Sequence, residues 1–207
     1  MTRVKVCGIT SLEDALAAMD AGADMLGFNF YARSPRYISP AEARKIVERL
    51  PEGTSCVGVF VNESAPADVE HVAREVGLGV VQLHGDETPE FCQSLRGLTT
   101  IKALRVGADF NVETPAAYNT DAVLLDAYVA GARGGTGHTF DWTLATLTRE
   151  RVPRLILAGG LNPDNVAAAV AAVRPYAVDV CSGVESAPGH KSPQLMRRFV
   201  REVGSRQ

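Results

Sequence analysis

Short apolar segments alternate with alanine-rich amphipathic segments eight times along the 207 residues of this chain. The apolar segments are rich in β-branched residues and end in Gly, Asn or Asp, which is typical of strands followed by turns. They are continuously apolar, as expected of parallel strands covered on both faces. The alternation therefore predicts one (β/α)8 barrel domain over residues 1–207, with eight parallel strands.

Helix start signals support this assignment. Ser11 and Ser39 are good N-caps, and Ser39 is followed by Pro40 at the first helical position and by Glu42, which completes a capping box. The fifth helix is predicted to be short or degenerate, near 109–117. The seventh is predicted to have Asn162 and Pro163 at its start. The predicted strands are 3–7, 25–30, 55–62, 79–85, 100–106, 122–127, 154–160 and 176–183.

Composition and charge exclude several classes of protein. The net charge of −3 does not indicate a nucleic-acid or anionic-membrane partner, and no apolar run approaches the roughly 18 residues of a membrane span. The four cysteines are far apart and the four histidines lack zinc spacing, so we expect no metal, free thiols and a cytoplasmic location. A doubly wound open sheet is the rival architecture, but CGITS after the first strand is not a dinucleotide-binding turn.

Polar and reactive residues collect where the strands end, which is where barrels of this kind place their active sites. Two pairs of residues end the last two predicted strands: Gly159 and Gly160, then Ser182 and Gly183. Glycines let backbone N–H groups approach an anion, and a helix N-terminus adds positive potential. These pairs predict a phosphate site, although glycine is also used simply to make tight turns.

Two residues are candidates for proton transfer. Cys7 ends the first strand and Asp126 ends the sixth. A buried cysteine is often only a small hydrophobic residue, and a carboxylate at a strand end can be a loop cap, so both readings stay open at this point. The glycine-rich loop over 127–139 is a candidate lid.

Four further residues have two readings each. Arg36, between Pro35 and Tyr37, is either solvated or bound to a substrate carboxylate. His84 is either a wall residue of the pocket or a structural hydrogen-bonding group. Gln82 and Asp179 either line the pocket or tie the inner layers of the barrel together.

Taken together, these stretches resemble the phosphoribosylanthranilate isomerase family of tryptophan biosynthesis. The matching stretches, in the family's order, are KVCGIT, DMLGFNF with SPR, VGVFVN, VQLHGDE, LLDA, GGTGHTFDW, LAGGLNPDNV and DVCSGVESAPGHK. They extend from one end of the chain to the other. One position departs from the family pattern, because the family usually has serine where Cys181 stands.

The resemblance implies an Amadori rearrangement of N-(5-phosphoribosyl)anthranilate without a cofactor. It implies that Cys7 is the general base, that Asp126 is the general acid and that Arg36 faces the anthranilate carboxylate. The phosphate would be held around Gly159–Gly160 and Ser182–Gly183. The expected partner is a small phosphosugar, with no nucleic acid or membrane, and the protein is expected to be a monomer or homodimer.

Three other functions would require different residues. An indole-glycerol-phosphate synthase should carry a lysine acid at a strand end. A histidine-pathway isomerase should have aspartates at strands one and five, where this chain has Cys7 and Leu104. A non-catalytic phosphosugar-binding barrel should have lost the acid or the base, whereas both candidates are present here.

Overall fold

Eight parallel strands close into a barrel in which each strand pairs with its neighbours in chain order. The computed structural model describes residues 1–107, 109–126 and 142–204. Strand β8 pairs with β1 and so closes the ring. The strands are β1 (Arg3–Cys7), β2 (Met25–Asn29), β3 (Ser55–Phe60), β4 (Val80–Leu83), β5 (Thr99–Arg105), β6 (Ala122–Asp126), β7 (Leu155–Ala158) and β8 (Ala177–Val180). The predicted barrel is confirmed.

A helix follows each strand. The helices are α1 (Leu12–Asp20), α2 (Pro40–Val47), α3 (Pro66–Val76), α4 (Pro89–Ser94), α5 (Thr114–Ala117), α6 (Trp142–Arg149), α7 (Val166–Val173) and α8 (Pro193–Gly204). The predicted short fifth helix is the four-residue α5. The predicted lid over 127–139 lies outside the described residues.

The helix starts follow the capping signals of the sequence. Ser11 accepts a hydrogen bond from the Asp14 N–H at the start of α1. Ser39 and Glu42 form the expected reciprocal capping box at the start of α2, where Pro40 is the first helical residue. Within the described ranges, no helix combines the length and apolar composition that crossing a bilayer requires.

The core has two layers that the strands separate. Outward side chains such as Val4, Val6 and Leu26 pack with buried helix residues into one large apolar layer. Inward side chains from the strands alone, including Val57 and Leu124, fill the inside of the barrel. This inner layer is a packed core rather than a channel, so ligands are confined to its end.

Two local features differ from the sequence prediction. Helix α7 begins at Val166 rather than directly after Asn162, because the side chains of Asn162 and Asn165 bond to backbone N–H groups and shape residues 162–165 into a turn. After β8 the chain forms a 3-10 turn (Ser182–Val184) and then a small hairpin. The hairpin strands are β9 (Glu185–Ala187) and β10 (His190–Lys191).

Candidate active site

Cys7 is the last residue of β1 and its thiol is buried, with 8% of the residue exposed. Its partner in the neighbouring strand is Gly27, where an added Cβ would lie only 2.8 Å from the Cys7 Sγ. Gly8 has a φ of +75°, and a Cβ there would come within 3.0 Å of both Arg36 Cγ and Cys181 Sγ. Glycines on two sides therefore make room for the thiol and for its neighbours.

A buried ion pair lies two residues before this thiol on the same face of β1. The Lys5 Nζ donates to Asp179 Oδ1 at 2.8 Å, and Lys5 has no exposed surface. The two residues are partners in the register between β1 and β8. Of the two readings of Asp179, this contact supports the one in which it ties adjacent strands together.

Opposing effects act on the ionisation of Cys7. Burial raises the pKa of the Cys7 thiol above its ordinary value, and the charge of Asp179 adds to this. The positive charges of Lys5 and Lys191 act in the other direction, although burial outweighs them. The lysines therefore stabilise the thiolate in a site that otherwise disfavours it.

Arg36 is held by a carboxylate from the hairpin after β8. Its Nε and Nη2 donate to the Glu185 oxygens at 3.1 and 2.6 Å, and Lys191 Nζ donates to Glu185 Oε1 at 2.9 Å. Burial alone would raise the pKa of Glu185, but these two cations outweigh it and hold that pKa below the usual range. The pair fixes the Arg36 side chain beside Gly8, where an added Cβ would lie 3.0 Å from Arg36 Cγ.

Cys181, the position that departs from the family pattern, joins the same cluster. Its Sγ donates to Glu185 Oε1 at 3.9 Å, and Lys191 Nζ lies 3.7 Å from the sulfur. Burial, followed by the proximity of Cys7, raises the pKa of the Cys181 thiol to about 12. Cys181 is therefore a neutral thiol that makes only weak hydrogen bonds.

A second group is centred on Asp126 at the end of β6. The His84 Nε2 lies 3.3 Å from Asp126 Oδ2, and the Gln82 Nε2 lies 2.8 Å from His84 Nδ1. Gln82 is fully buried on β4, whereas His84 and Asp126 are only partly buried. The structure thus joins three of the predicted site residues in one row of hydrogen-bonding groups.

The two predicted phosphate loops lie against each other. Gly159 and Gly160 have φ values of +89° and +65°, a backbone region that favours glycine. A side chain at Gly183 would overlap the Leu161 carbonyl oxygen, so the loops after β7 and β8 approach closely only because residue 183 is glycine. Asn165 Nδ2 donates to the Gly160 carbonyl at 3.0 Å and holds the first loop in place.

Three site residues were not among those predicted: Lys5, Glu185 and Lys191. A signal for Lys5 was present, because a lysine two positions before a strand-end cysteine must share its face. Pro188-Gly189 indicated a turn between two short segments, which would have suggested a hairpin. The contact between Glu185 of this hairpin and Arg36 could not be predicted, because the two residues are 149 positions apart in the chain.

This arrangement can carry out proton transfer on a small anionic ligand. A thiol and a carboxyl group stand at the ends of β1 and β6, three strands apart in a ring of eight. In residues 1–107, 109–126 and 142–204, no group of three or more His, Cys, Asp or Glu side chains is placed to hold a metal ion.

Comparison with known proteins identifies clear relatives. A family model described as N-(5'phosphoribosyl)anthranilate (PRA) isomerase matches residues 4–202. The N-(5'-phosphoribosyl)anthranilate isomerase of Trichlorobacter lovleyi is 53% identical over 203 residues, which are 98% of each chain.

Solved structures of phosphoribosyl anthranilate isomerases are also similar to this chain. The crystal structure of phosphoribosyl anthranilate isomerase from Thermotoga maritima has a TM-score of 0.92 and 46% identity, covering 99% of this chain and 100% of that one. A structure of such an isomerase in complex with reduced 1-(o-carboxyphenylamino)-1-deoxyribulose 5-phosphate has a TM-score of 0.89 and 45% identity, with the same coverage.

Proposed function

The chain belongs to the N-(5'-phosphoribosyl)anthranilate isomerase family, and from that premise we propose how its residues carry out the isomerisation in tryptophan biosynthesis. The observation that carries the proposal is the position of Cys7 and Asp126, at the carboxyl ends of β1 and β6 of one closed barrel. Groups on different sides of a barrel mouth can reach different atoms of one small substrate.

Asp126 acts first, as the general acid. Its proton passes to the ring oxygen of the ribose while the C1–O bond breaks and its electron pair moves to that oxygen. The nitrogen lone pair of the anthranilate then forms a C=N bond with C1. The resulting imine acidifies the hydrogen on C2.

Cys7 acts second, as the general base. Its thiolate removes the C2 proton, the C–H electron pair forms a C1=C2 double bond, and the π electrons of the C=N bond return to nitrogen, which gives an enaminol. Return of a proton from the thiol to C1, with transfer of the C2 hydroxyl proton to the Asp126 carboxylate, gives the ketone. Both catalytic groups are then in their starting forms.

Substrate binding uses the two ends of the site. The phosphate is held by backbone N–H groups around Gly159–Gly160 and Ser182–Gly183, which the close approach of the two loops supports. Arg36 faces the anthranilate carboxylate. Its bonds to Glu185 use Nε and Nη2, so Nη1 is the nitrogen proposed to bind that carboxylate.

The test is an assay of phosphoribosylanthranilate consumption by its fluorescence. Cys7→Ser and Asp126→Asn should each lower kcat by at least about 100-fold, because each removes a proton-transfer group. Both variants should keep the folded far-UV circular dichroism spectrum and the increase in melting temperature that inorganic phosphate gives the wild type.

Cys92→Ala is the matched control, because Cys92 is a buried thiol on α4. It should retain wild-type kcat. A Cys7→Ser variant with wild-type turnover would show that Cys7 is not the general base. Full activity of Asp126→Asn would show that Asp126 is not the general acid.

We further propose that the protein is cytoplasmic, which its four free thiols support. Its partner is a small phosphosugar, and it is a monomer or homodimer. Sedimentation velocity at micromolar concentration distinguishes these two states.

A further inference from the structure

The row of side chains that ends at Asp126 begins at a fully buried amide. Gln82 has no exposed surface, and its Nε2 lies 2.8 Å from His84 Nδ1. The other ring nitrogen, Nε2, lies 3.3 Å from Asp126 Oδ2. We propose that Gln82 and His84 are positioning residues that hold the acid proton of Asp126 on Oδ1 rather than on Oδ2, the oxygen that His84 contacts. This inference rests on the proposed role of Asp126 as the acid.

The orientation of the Gln82 amide determines the tautomer of His84. An amide nitrogen can only donate, so His84 Nδ1 must accept and the single ring proton must be on Nε2. That Nε2–H then donates to Asp126 Oδ2. An oxygen that accepts this bond is a poor place for the acid proton, which is left to the other carboxyl oxygen.

The opposite amide orientation would have the opposite effect. If Gln82 presented its oxygen, His84 would carry its proton on Nδ1 and Nε2 would become an acceptor. Asp126 would then donate its proton from Oδ2 to His84 and hold it away from the substrate. The two orientations therefore correspond to a productive and an unproductive arrangement of the acid.

A second observation concerns the other polar atom of the same amide. The Gln82 Oε1 is buried and has no hydrogen-bond partner among the described residues. Folding penalises a buried acceptor without a partner, and such groups are few in native proteins. A leucine or methionine at residue 82 would fill the inner layer without that penalty, so packing alone does not explain the amide.

The arrangement also suits the change of charge during the reaction. When Asp126 gives up its proton, it becomes a carboxylate that already accepts the His84 N–H. A hydrogen bond to a charged oxygen is stronger than one to a neutral oxygen, so the contact strengthens as negative charge develops. A hydrogen bond of this kind lowers the barrier of ring opening more than it favours substrate binding.

The primary test is the His84 tautomer, measured in the wild-type protein by 15N-labelled histidine NMR at neutral pH. The signals of His84 are identified by their loss in His84→Asn. We expect the proton on Nε2, with Nδ1 unprotonated. A ring with its proton on Nδ1 would overturn the inference whatever the activity of any variant.

Two substitutions at residue 82 test the effect on catalysis. Gln82→Met removes the donor with little change in volume, and it should give a mixture of tautomers and a roughly tenfold lower kcat with KM within twofold of wild type. Gln82→Glu offers only acceptors once its carboxyl is ionised, so at about pH 9 it should move the proton to Nδ1 and lower kcat about 100-fold. Wild-type kcat in folded Gln82→Met would contradict the inference.

Failure of this inference can be told apart from failure of the proposed function. If Asp126→Asn is fully active, the assignment of the acid is wrong. If Asp126→Asn is inactive but wild-type His84 carries its proton on Nδ1, only the role of Gln82 and His84 is wrong.

Discussion

At the scale of single residues, a buried ion pair next to Cys7 modulates the ionisation of its thiol. Lys5 and Asp179 bond to each other at 2.8 Å within the inner layer of the barrel. Their charges act on the pKa of Cys7 in opposite directions, Lys5 lowering it and Asp179 raising it. Burial is the larger effect and leaves the pKa of Cys7 raised overall.

Replacing each member of the ion pair should change the pKa of Cys7 in opposite directions. Lys5→Met should raise the pKa of Cys7 further, and iodoacetamide should then alkylate Cys7 about three- to tenfold more slowly at pH 8, because the thiolate is the nucleophile. Asp179→Asn should lower that pKa and make alkylation faster. The rate is measured by mass spectrometry of the peptide that contains Cys7.

The double variant Lys5→Met/Asp179→Asn controls for damage to the fold, because it leaves no unpaired buried charge. Its rate of Cys7 alkylation should lie between the rates of the two single variants. Slower alkylation in both single variants would show that access to the thiol, rather than charge, controls the rate.

At the scale of elements, the hairpin of β9 and β10 supplies the residues that hold Arg36. Its two strands contribute Glu185 and Lys191. The Glu185 side chain is only 5% exposed, and its charge is balanced by two cations, Arg36 and Lys191. The pKa of Glu185 is below its ordinary value, so its carboxylate stabilises the folded state above the unfolded pKa of about 4.3. This stabilisation is lost as the pH falls through the folded pKa.

Glu185→Gln should therefore destabilise the protein in a pH-dependent way. At pH 7 we expect a loss of about 3 kcal/mol in the free energy of unfolding, because two cations lose a buried partner. The difference from wild type should narrow as the pH falls from 5 to 3.5. Urea titrations followed by circular dichroism across this range measure it.

Glu52→Gln is the control for this prediction, because Glu52 is exposed in the turn before β3. It should change the free energy of unfolding by no more than about 0.5 kcal/mol at any of these pH values. A pH-independent difference between Glu185→Gln and wild type would mean that the Glu185 carboxylate is not responsible for the effect.

At the scale of the whole molecule, closure of the ring makes the site depend on both ends of the chain. Strand β1 pairs with β8, and α8 covers this junction by contacting α1, α7 and the 3-10 turn after β8. Phe199 on α8 has no exposed surface. The last helix is therefore expected to unfold together with the barrel rather than separately.

Phe199→Ala tests this cooperativity. It should lower the free energy of unfolding by about 3–5 kcal/mol, because a large buried ring is replaced by a cavity. The slope of the free energy against urea concentration should not change, since the whole surface is still exposed in one step.

Leu16→Ala, at an exposed position of α1, is the matched apolar control and should have little effect. A second transition at low urea in Phe199→Ala would show that α8 unfolds separately from the barrel.

The fold was predicted correctly because its signals are local. Strand runs such as Ala122–Asp126 and caps such as Ser11 and Ser39 depend on a few consecutive residues. The start of α7 was predicted too early, because Asn162 and Asn165 make side-chain bonds that compete with the helix. The hairpin after β8 was missed because its segments are only three and two residues long.

The order of eight βα units, the strand ends at Cys7 and Asp126, and the glycine loops after β7 and β8 can all be read from the amino-acid sequence. Which polar groups meet depends on the folded barrel: Lys5 with Asp179, Glu185 with Arg36 and Lys191, and His84 with Gln82 and Asp126. This difference arises because strand and cap signals act over a few residues. The ionisation and orientation of a buried group, in contrast, are set by neighbours that ring closure brings from distant parts of the chain.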